Sequence, residues 1–260
     1  MRYSTPVSIY DAIVPAGGTI DSEFAAKAGT SVKALIEFNG VPIIETVLQS
    51  LKNSGKVRNI VVIGDHRIQE IATRLGAHGL EPGQTGPENI FRGLDKLQQL
   101  EGNLDRAMIV TCDLPFLTPE MVQKYIQLCP TDKDICVPII DADEFTKTYP
   151  GTTSTFVKTK DGTFTIGGMF MMNGNRLRDL RPAIERVFAK RKSKVGMAML
   201  IGPGFVLKWL TKSLTIKDLE RKIESMLGCT GSAVRGAPVE LAYDIDDLED
   251  YDYAMKHVGA

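Results

Sequence analysis

The feature that most constrains this chain is the alternation, through its first half, of short apolar strands with amphipathic helical segments. Continuous apolar runs at 11–15, 59–64, 107–111 and 135–139 predict buried strands. The intervening segments place apolar residues at helical spacing instead, as in 43–51. Buried strands joined by amphipathic helices predict an α/β fold, doubly wound, with a mainly parallel (mixed) sheet covered on both faces.

The second half of the chain has a different pattern of predicted strands and helices. Runs at 152–158 and 163–172 predict strands joined across a hairpin turn, 237–243 predicts a strand, and 248–257 predicts a helix. Most of 176–227 has helical patterning, and one helix is predicted to begin at Thr215 with a capping box. We therefore expect one domain over 1–260, with 176–235 as a helical insert packed on the core.

The most apolar stretch, 195–210, is broken by glycines, a proline and a lysine, and it predicts two short buried helical pieces. Trp209 and the numerous methionines are interpreted as core residues. The methionines concerned are Met169, Met171, Met172, Met197 and Met199.

The composition of the chain limits which binding partners and which cellular compartment we expect. The net charge of −1 gives no global field that would attract nucleic acid or an anionic membrane. The four cysteines are too scattered for a zinc knuckle or a CxxC motif, and they suit reduced thiols. The N-terminus has no apolar signal region, and no apolar run is long enough to span a bilayer. We expect a cytoplasmic protein without a nucleic-acid or membrane partner; its oligomeric state is left open.

Candidate ligand-binding residues follow the carboxyl ends of strands, where α/β sheets bind ligands. Residues 15–19 read Pro-Ala-Gly-Gly-Thr, and their backbone amides can approach an anion, although the same pattern also occurs in simple tight turns. The loop is neither a GxGxxG fingerprint nor a Walker A motif. Lys33 can offer an ammonium to phosphate oxygens, or it is a solvated surface lysine.

Acidic residues supply a candidate metal site. Asp113 ends an apolar strand, where a carboxylate can hold Mg²⁺ or simply cap a turn. In the acidic run 243–250, Asp246 or Asp244 can be a second metal ligand, while Asp247 and Glu249 suit helix capping.

Taken in order, these segments resemble the nucleotidyltransferases of the Rossmann-like nucleotide-diphospho-sugar transferase fold. Relatives in that family include the molybdopterin cytidylyl- and guanylyltransferases. The matching segments are 13–18 (Ile-Val-Pro-Ala-Gly-Gly), 32–36 with 39–44, 112–115 (Cys-Asp-Leu-Pro), and 244–246 followed by 249–250. The resemblance covers roughly residues 9–130 and 238–257.

The resemblance implies a role for each matching residue. The backbone of the glycine loop would hold a triphosphate, Lys33 would contact its phosphates, and Asp113 and Asp246 would bind Mg²⁺. The segment 83–89 would meet the base and ribose, and Gly167-Gly168 would pack against the acceptor unless it is only a bend. The nucleotide-binding residues implied are Ala16, Gly17, Gly18, Thr19, Lys33, Gly86 and Asn89.

The implied function is Mg²⁺-dependent transfer of a nucleotide from a nucleoside triphosphate to a phosphorylated small molecule, with release of pyrophosphate. Two alternatives stay open: a glycosyltransferase of related fold that uses a nucleotide sugar, and a catalytically silent nucleotide-binding regulator. The second is motivated by the loop after the glycines, which reads Ile-Asp-Ser-Glu where the family usually has an arginine. Lys27 is a candidate substitute. The basic run 186–194 can contact a polyanionic acceptor or form a solvated helix end.

Overall fold

The computed structural model describes residues 9–152, 154–190 and 193–257. The strands are β1 (Tyr10–Pro15), β2 (Glu37–Phe38), β3 (Val41–Pro42), β4 (Val57–Ile63), β5 (His78–Leu80), β6 (Arg106–Val110), β7 (Ile135–Asp141), β8 (Val157–Thr159), β9 (Gly162–Ile166), β10 (Met169–Asn173) and β11 (Gly231–Val234).

The helices are α1 (Ser22–Ala28), α2 (Ile43–Asn53), α3 (His66–Arg74), α4 (Gly86–Glu101), α5 (Pro119–Leu128), α6 (Ala142–Thr148), α7 (Gly174–Leu177), α8 (Arg181–Lys190), α9 (Lys194–Ile201), α10 (Pro203–Leu210), α11 (Ile216–Leu227) and α12 (Leu248–His257). Two 3₁₀ turns, Lys33–Leu35 and Val239–Ala242, flank the candidate site.

The central sheet is mixed and runs in the order β5-β4-β1-β6-β10-β7-β9-β8, with β11 also paired to β7. Strands β5, β4, β1 and β6 are parallel to one another. Strand β10 lies antiparallel between β6 and β7, and β11 runs parallel to β7. The doubly wound, mixed α/β fold is therefore confirmed, and the carboxyl ends of β1, β4 and β6 share one edge of the sheet.

Both faces of the sheet are covered because successive strand residues enter opposite cores. In β4, Val62 joins the core beneath α2, whereas Val61 and Ile63 join the core beneath α4. Helix α2 contributes Ile44 and Val47 to the first core, in agreement with its predicted apolar face. Burying a side chain of this size stabilises a fold by about 1.5–3 kcal/mol, so the sheet is a rigid base for the loops at its edge.

The predicted strand at 237–243 is wrong. Pro238 precedes a 3₁₀ turn at Val239–Ala242, and the strand that joins the sheet is β11, at Gly231–Val234. The carbonyl of Leu241 accepts a hydrogen bond from Gly168 instead of joining a ladder. Apolar residues of this segment are buried because they fill the core, which a periodicity argument cannot distinguish from strand formation.

The predicted strand at 163–172 is two strands. The chain bends at Gly167-Gly168, so that β9 pairs with the outer part of β7 while β10 inserts between β6 and β7. The hairpin turn between β8 and β9 is where it was predicted, but β8 begins only at Val157.

The expected burial of 195–210 is also wrong. The segment forms two short helices, α9 and α10, as predicted, but Trp209 is 56% exposed and Met199 is 71% exposed. Met169, Met171 and Met172 are buried as predicted, and the side chain of Met197 lies outside the described residues. Among the described helices, none combines the length and the apolar character that crossing a bilayer requires.

Helices α8 to α11 form most of the expected insert. Arg181 of α8 lies over the ring of Phe91 in α4, with its guanidinium carbon 5.0 Å from the ring centroid. Helix α11 follows its cap residue Thr215 and has the predicted capping box, which Thr215 and Asp218 form. Strand β11 falls inside 176–235 yet belongs to the central sheet, while the division of the chain into one domain with an insert stays a prediction.

Candidate active site

The glycine loop leaves β1 at the edge of the sheet and exposes its backbone. The Ala16 N–H donates to the carbonyl of Ile63 at 2.7 Å, and the Lys33 N–H donates to the carbonyl of Gly18 at 3.0 Å. Gly17, Gly18 and Thr19 are exposed, and within the described residues no acceptor meets their N–H groups. The loop therefore presents unpaired amide donors, the groups that bind phosphate oxygens.

Lys33 lies between two carboxylates. Its Nζ is 2.5 Å from Asp113 Oδ2 and 2.6 Å from Asp246 Oδ1. Burial favours the neutral amine, but the two carboxylates outweigh that effect and raise the pKa of Lys33, so the ammonium stays charged. The structure places the Lys33 ammonium beside the acids, and its expected contact with phosphates stays a prediction.

Three carboxylates converge at this point. Asp113, Asp244 and Asp246 each offer a carboxylate oxygen within 4.8 Å of the others. Asp113 is only 7% exposed, and its Oδ1 is buried without a hydrogen-bond partner among the described residues. Burial, and then the charges of Asp113 and Asp246, raise the pKa of Asp244 to about 7. The structure thus brings Asp113 together with both of the carboxylates, Asp244 and Asp246, that the sequence offered as a second metal ligand.

Backbone contacts bring these distant segments together. The Ile245 N–H donates to the carbonyl of Asp113 at 3.3 Å. Upstream, the Gly168 N–H donates to the carbonyl of Leu241 at 2.6 Å. A β-carbon added to Gly167 would lie 2.9 Å from the Leu241 carbonyl oxygen. The glycine pair is therefore a close-packed bend that lets the turn before Asp244 approach β6.

The donor set fits a hard divalent cation. Three carboxylates against one ammonium leave a local excess of negative charge, and the buried Asp113 Oδ1 lacks a partner. A buried, unpaired carboxylate oxygen is costly unless a cation meets it. Carboxylate oxygens are the ligands that Mg²⁺ prefers, so the residues present match the expected ion.

The segment 83–89 lies beside the glycine loop. Asn89 is buried, and its Oδ1 accepts a hydrogen bond from the Gly83 N–H at 2.6 Å. Its Nδ2 lies 3.4 Å from the position that a β-carbon on Gly17 would occupy. Gly86 begins α4 next to the cap residue Thr85. A β-carbon added to Gly86 would lie 2.9 Å from the ring of Phe188 in α8. The two segments implied to hold the nucleotide are thus neighbours.

A cleft of about 430 Å³ adjoins the carboxylates. Its walls include Asp244 and Asp246 together with the hydroxyl residues Ser154 and Thr165, whose oxygens lie 2.8 Å apart. Sequence reasoning did not identify these two hydroxyl residues, because single serines and threonines carry no distinguishing pattern.

Other predicted residues have structural roles. Asp247 caps α12 by accepting hydrogen bonds from the backbone of Glu249 and Asp250. Lys27, the candidate substitute for the family's arginine, pairs with Asp252 of α12 at 2.5 Å. Burial raises the pKa of the Cys112 thiol, so this neighbour of Asp113 is a neutral core residue and not a nucleophile.

Comparison with known proteins decides the family. Residues 12–204, most of the chain, match the MobA-like NTP transferase domain. The chain belongs to the MobA-like NTP transferase family. Its glycine loop, Lys33, the segment 83–89 and Asp113 all lie within the matched residues, whereas Asp244 and Asp246 lie beyond them.

Individual relatives of this MobA-like chain are distant in sequence. It is 29% identical over 122 residues to a 3-deoxy-manno-octulosonate cytidylyltransferase of Halorhodospira halophila, a match that covers 43% of the chain. The match spans 46% of that curated relative, less than half of its length.

Solved structures match the fold over nearly the whole chain. A hypothetical transferase from Thermus thermophilus superposes with a TM-score of 0.80 at 27% identity, covering 93% of this chain and 99% of that one. A nucleotidyl transferase from Methanothermobacter thermautotroptrophicus gives a TM-score of 0.58 at 17% identity, covering 96% and 97%. The second likeness supports the fold alone.

Proposed function

We propose that this protein transfers a nucleotide from a nucleoside triphosphate to a phosphorylated small molecule, releases pyrophosphate and depends on Mg²⁺. The observation that carries the proposal is the cluster of Asp113, Asp244 and Asp246, with a buried unpaired oxygen, beside a loop of unpaired backbone amides. Family membership agrees with that chemistry.

The glycine loop is assigned to the triphosphate. Gly17, Gly18 and Thr19 direct exposed amides to one edge of the sheet, and glycine at two of these positions keeps side chains away from the phosphates. The segment 83–89, held against this loop by Asn89, is assigned to the base and ribose. CTP is the first triphosphate to test, because the curated relative is named as a cytidylyltransferase.

In the proposed reaction, a phosphate oxygen of the acceptor attacks the α-phosphorus of the triphosphate. A new oxygen–phosphorus bond forms as the bond to the bridging oxygen of the β-phosphate breaks, and that oxygen leaves with pyrophosphate. No covalent enzyme intermediate is involved, so the protein contributes positioning and charge stabilisation. The cleft beside Asp244 is assigned to the acceptor.

Asp113 and Asp246 would hold Mg²⁺, with Asp244 as a third ligand. When bound, the ion neutralises negative charge on the phosphates. Lys33 has a distinct role: its ammonium keeps the carboxylates together and adds a positive charge beside the glycine loop, to which its own backbone is hydrogen-bonded. Its raised pKa keeps that charge in place over the physiological range.

The test is pyrophosphate release from each common triphosphate with a panel of sugar and polyol phosphates, with and without Mg²⁺. Asp113→Asn should lose at least about a hundredfold in turnover, the scale on which single electrostatic contacts act in catalysis. Asp179→Asn is the matched control, because Asp179 is exposed and lies in the loop before α8. Thermal unfolding should show that both variants are folded.

Two results would contradict the proposal. Nearly full pyrophosphate release by Asp113→Asn would show that Asp113 takes no part in the reaction. Tight triphosphate binding without pyrophosphate release across the panel would favour the silent regulator instead, a reading consistent with the engagement of Lys27 by Asp252.

A further inference from the structure

The hairpin of α9 and α10 presents an apolar surface to solvent. The exposed fractions are 71% for Met199, 61% for Leu207, 56% for Trp209 and 63% for Leu210. Large apolar side chains that are exposed close together on a protein surface indicate an interaction site. These four residues are called the apolar face below.

Helical geometry shows that the apolar face points away from the body of the protein. At 3.6 residues per turn, Leu207, Trp209 and Leu210 cover one arc of about 160° on α10, with Lys208 on the opposite side. Lys208 is bound to Asp218 of α11, 2.6 Å away, so the side of α10 that carries Lys208 faces the protein. The apolar arc therefore faces outward.

The sequence around the apolar face is strongly basic. Between residues 186 and 217 there are eight lysines and arginines and no aspartate or glutamate, although the whole chain has a net charge of −1. Lys190, at the end of α8, and Lys212, just after α10, make no ion pair with the described residues. The segment that carries the apolar side chains is thus basic in sequence, a pattern that the overall charge conceals.

We propose that the apolar face docks on an anionic membrane surface, with α9 and α10 lying in the interface. Apolar and aromatic side chains on one face and cations around them are what an interfacial helix needs, and neither helix is long enough to span a bilayer. A second copy of the chain is the disfavoured occupant, because a twofold contact through this face would bring two like-charged rims together. The inference goes beyond the proposed reaction, and its test does not depend on turnover.

Trp209 is the only tryptophan of the chain, so its fluorescence reports directly on the apolar face. The full-length protein is titrated with vesicles of phosphatidylcholine alone and with vesicles that also contain phosphatidylglycerol. Only the anionic vesicles should shift the emission to shorter wavelength and pellet the protein. Raising the salt from 0.1 M to 1 M shortens the screening length from about 10 Å to about 3 Å and should weaken this binding strongly.

Matched variants separate the contribution of the lysine charges to membrane binding from that of the apolar face. Lys190→Gln with Lys212→Gln should weaken binding about 25-fold, from about fivefold for each cation near an anionic surface. Lys124→Gln with Lys256→Gln removes two exposed lysines elsewhere and should leave the affinity unchanged. Leu210→Gln should reduce the blue shift and the pelleted fraction, whereas Met255→Gln, at a residue 47% exposed on α12, should change neither.

Three outcomes would overturn the inference. The first is an unchanged Trp209 spectrum with anionic vesicles at low salt. The second is equal binding to both vesicle types. The third is self-association in sedimentation velocity with a blue shift that needs no lipid, which would make a second copy the occupant of the apolar face.

Discussion

Replacing Gly168 by alanine tests the close packing that brings the C-terminal acids to Asp113. A β-carbon at this position would lie 2.3 Å from Thr111 Oγ1 and 3.2 Å from Leu114 Cδ2, so the surrounding chain must move. Overpacking of this kind costs about 1–3 kcal/mol in the free energy of unfolding. For a chain of this size, each kcal/mol lowers Tm by about 2–4 °C.

A double-mutant cycle identifies the cause of that loss. Thr111 Oγ1 is buried and has no hydrogen-bond partner among the described residues, so Thr111→Ala removes the clashing atom without breaking a hydrogen bond. The double variant Gly168→Ala/Thr111→Ala should therefore be more stable than the sum of the single effects by about 0.5–3 kcal/mol.

Urea unfolding followed by circular dichroism measures all four proteins of the cycle. Gly18→Ala is the control, because the nearest atom to its added β-carbon is 3.9 Å away and its stability should be unchanged. A free energy of unfolding for Gly168→Ala within about 0.5 kcal/mol of the wild type, the scatter expected of neutral substitutions, would contradict close packing at this position. A double variant no more stable than the sum of the single effects would show that Thr111 is not the clashing group.

Three further predictions concern charge and capping. Lys33→Gln should lower Tm without Mg²⁺, because the carboxylates lose the ammonium between them, and added Mg²⁺ should restore part of the loss; an unchanged Tm would contradict this. Asp11→Asn should lower the free energy of unfolding in urea by about 1–3 kcal/mol, since the buried Asp11 accepts hydrogen bonds from Arg58 and Asn59. As the control, Arg178→Gln removes an exposed ion pair and should change stability little. Thr215→Ala should destabilise the chain by about 1 kcal/mol, measured in the same way, and no change would show that α11 does not depend on its cap.

The parallel half of the fold was predictable because local pattern and tertiary environment agree there. Strands β1, β4 and β6 are buried on both faces, so their continuous apolar sequences have a single interpretation. Pro119 likewise favours the start of α5 by local chemistry, because it lies in the first turn, although Thr118 makes no side-chain cap hydrogen bond there. Helix caps and buried parallel strands are short-range signals, and a single sequence contains them.

The second half was predicted less well because its structure depends on partners far along the chain. The run 237–243 is as apolar as a strand, but the turn at Val239 packs against Gly167-Gly168, and the sheet position beside β7 is taken by β11. The apolar run 195–210 was expected to be buried because nothing in its composition distinguishes a core helix from an exposed one.

In the candidate site, too, the features set by local sequence were predictable and those set by long-range contacts were not. Asp113 and the glycine loop were found because each follows a strand directly. The residue pattern left Asp244 and Asp246 as alternatives, because residues two apart on an extended segment face the same side, and only the resemblance favoured Asp246. The structure brings both carboxylates to Asp113. The contact of Lys33 with the acids joins positions 213 residues apart and needs the three-dimensional structure.

The hydrogen bond from Ile245 to Asp113 has a consequence for the order of folding events. It closes a very long loop of chain, and long-range closure costs more entropy than the local contacts that form the helices and the glycine turn. A partly folded chain can therefore form its glycine loop before it forms the carboxylate cluster. Under the proposed function, magnesium affinity would therefore measure completion of the fold, and a chain cut before Asp244 would lose that affinity even where the remaining sheet survives.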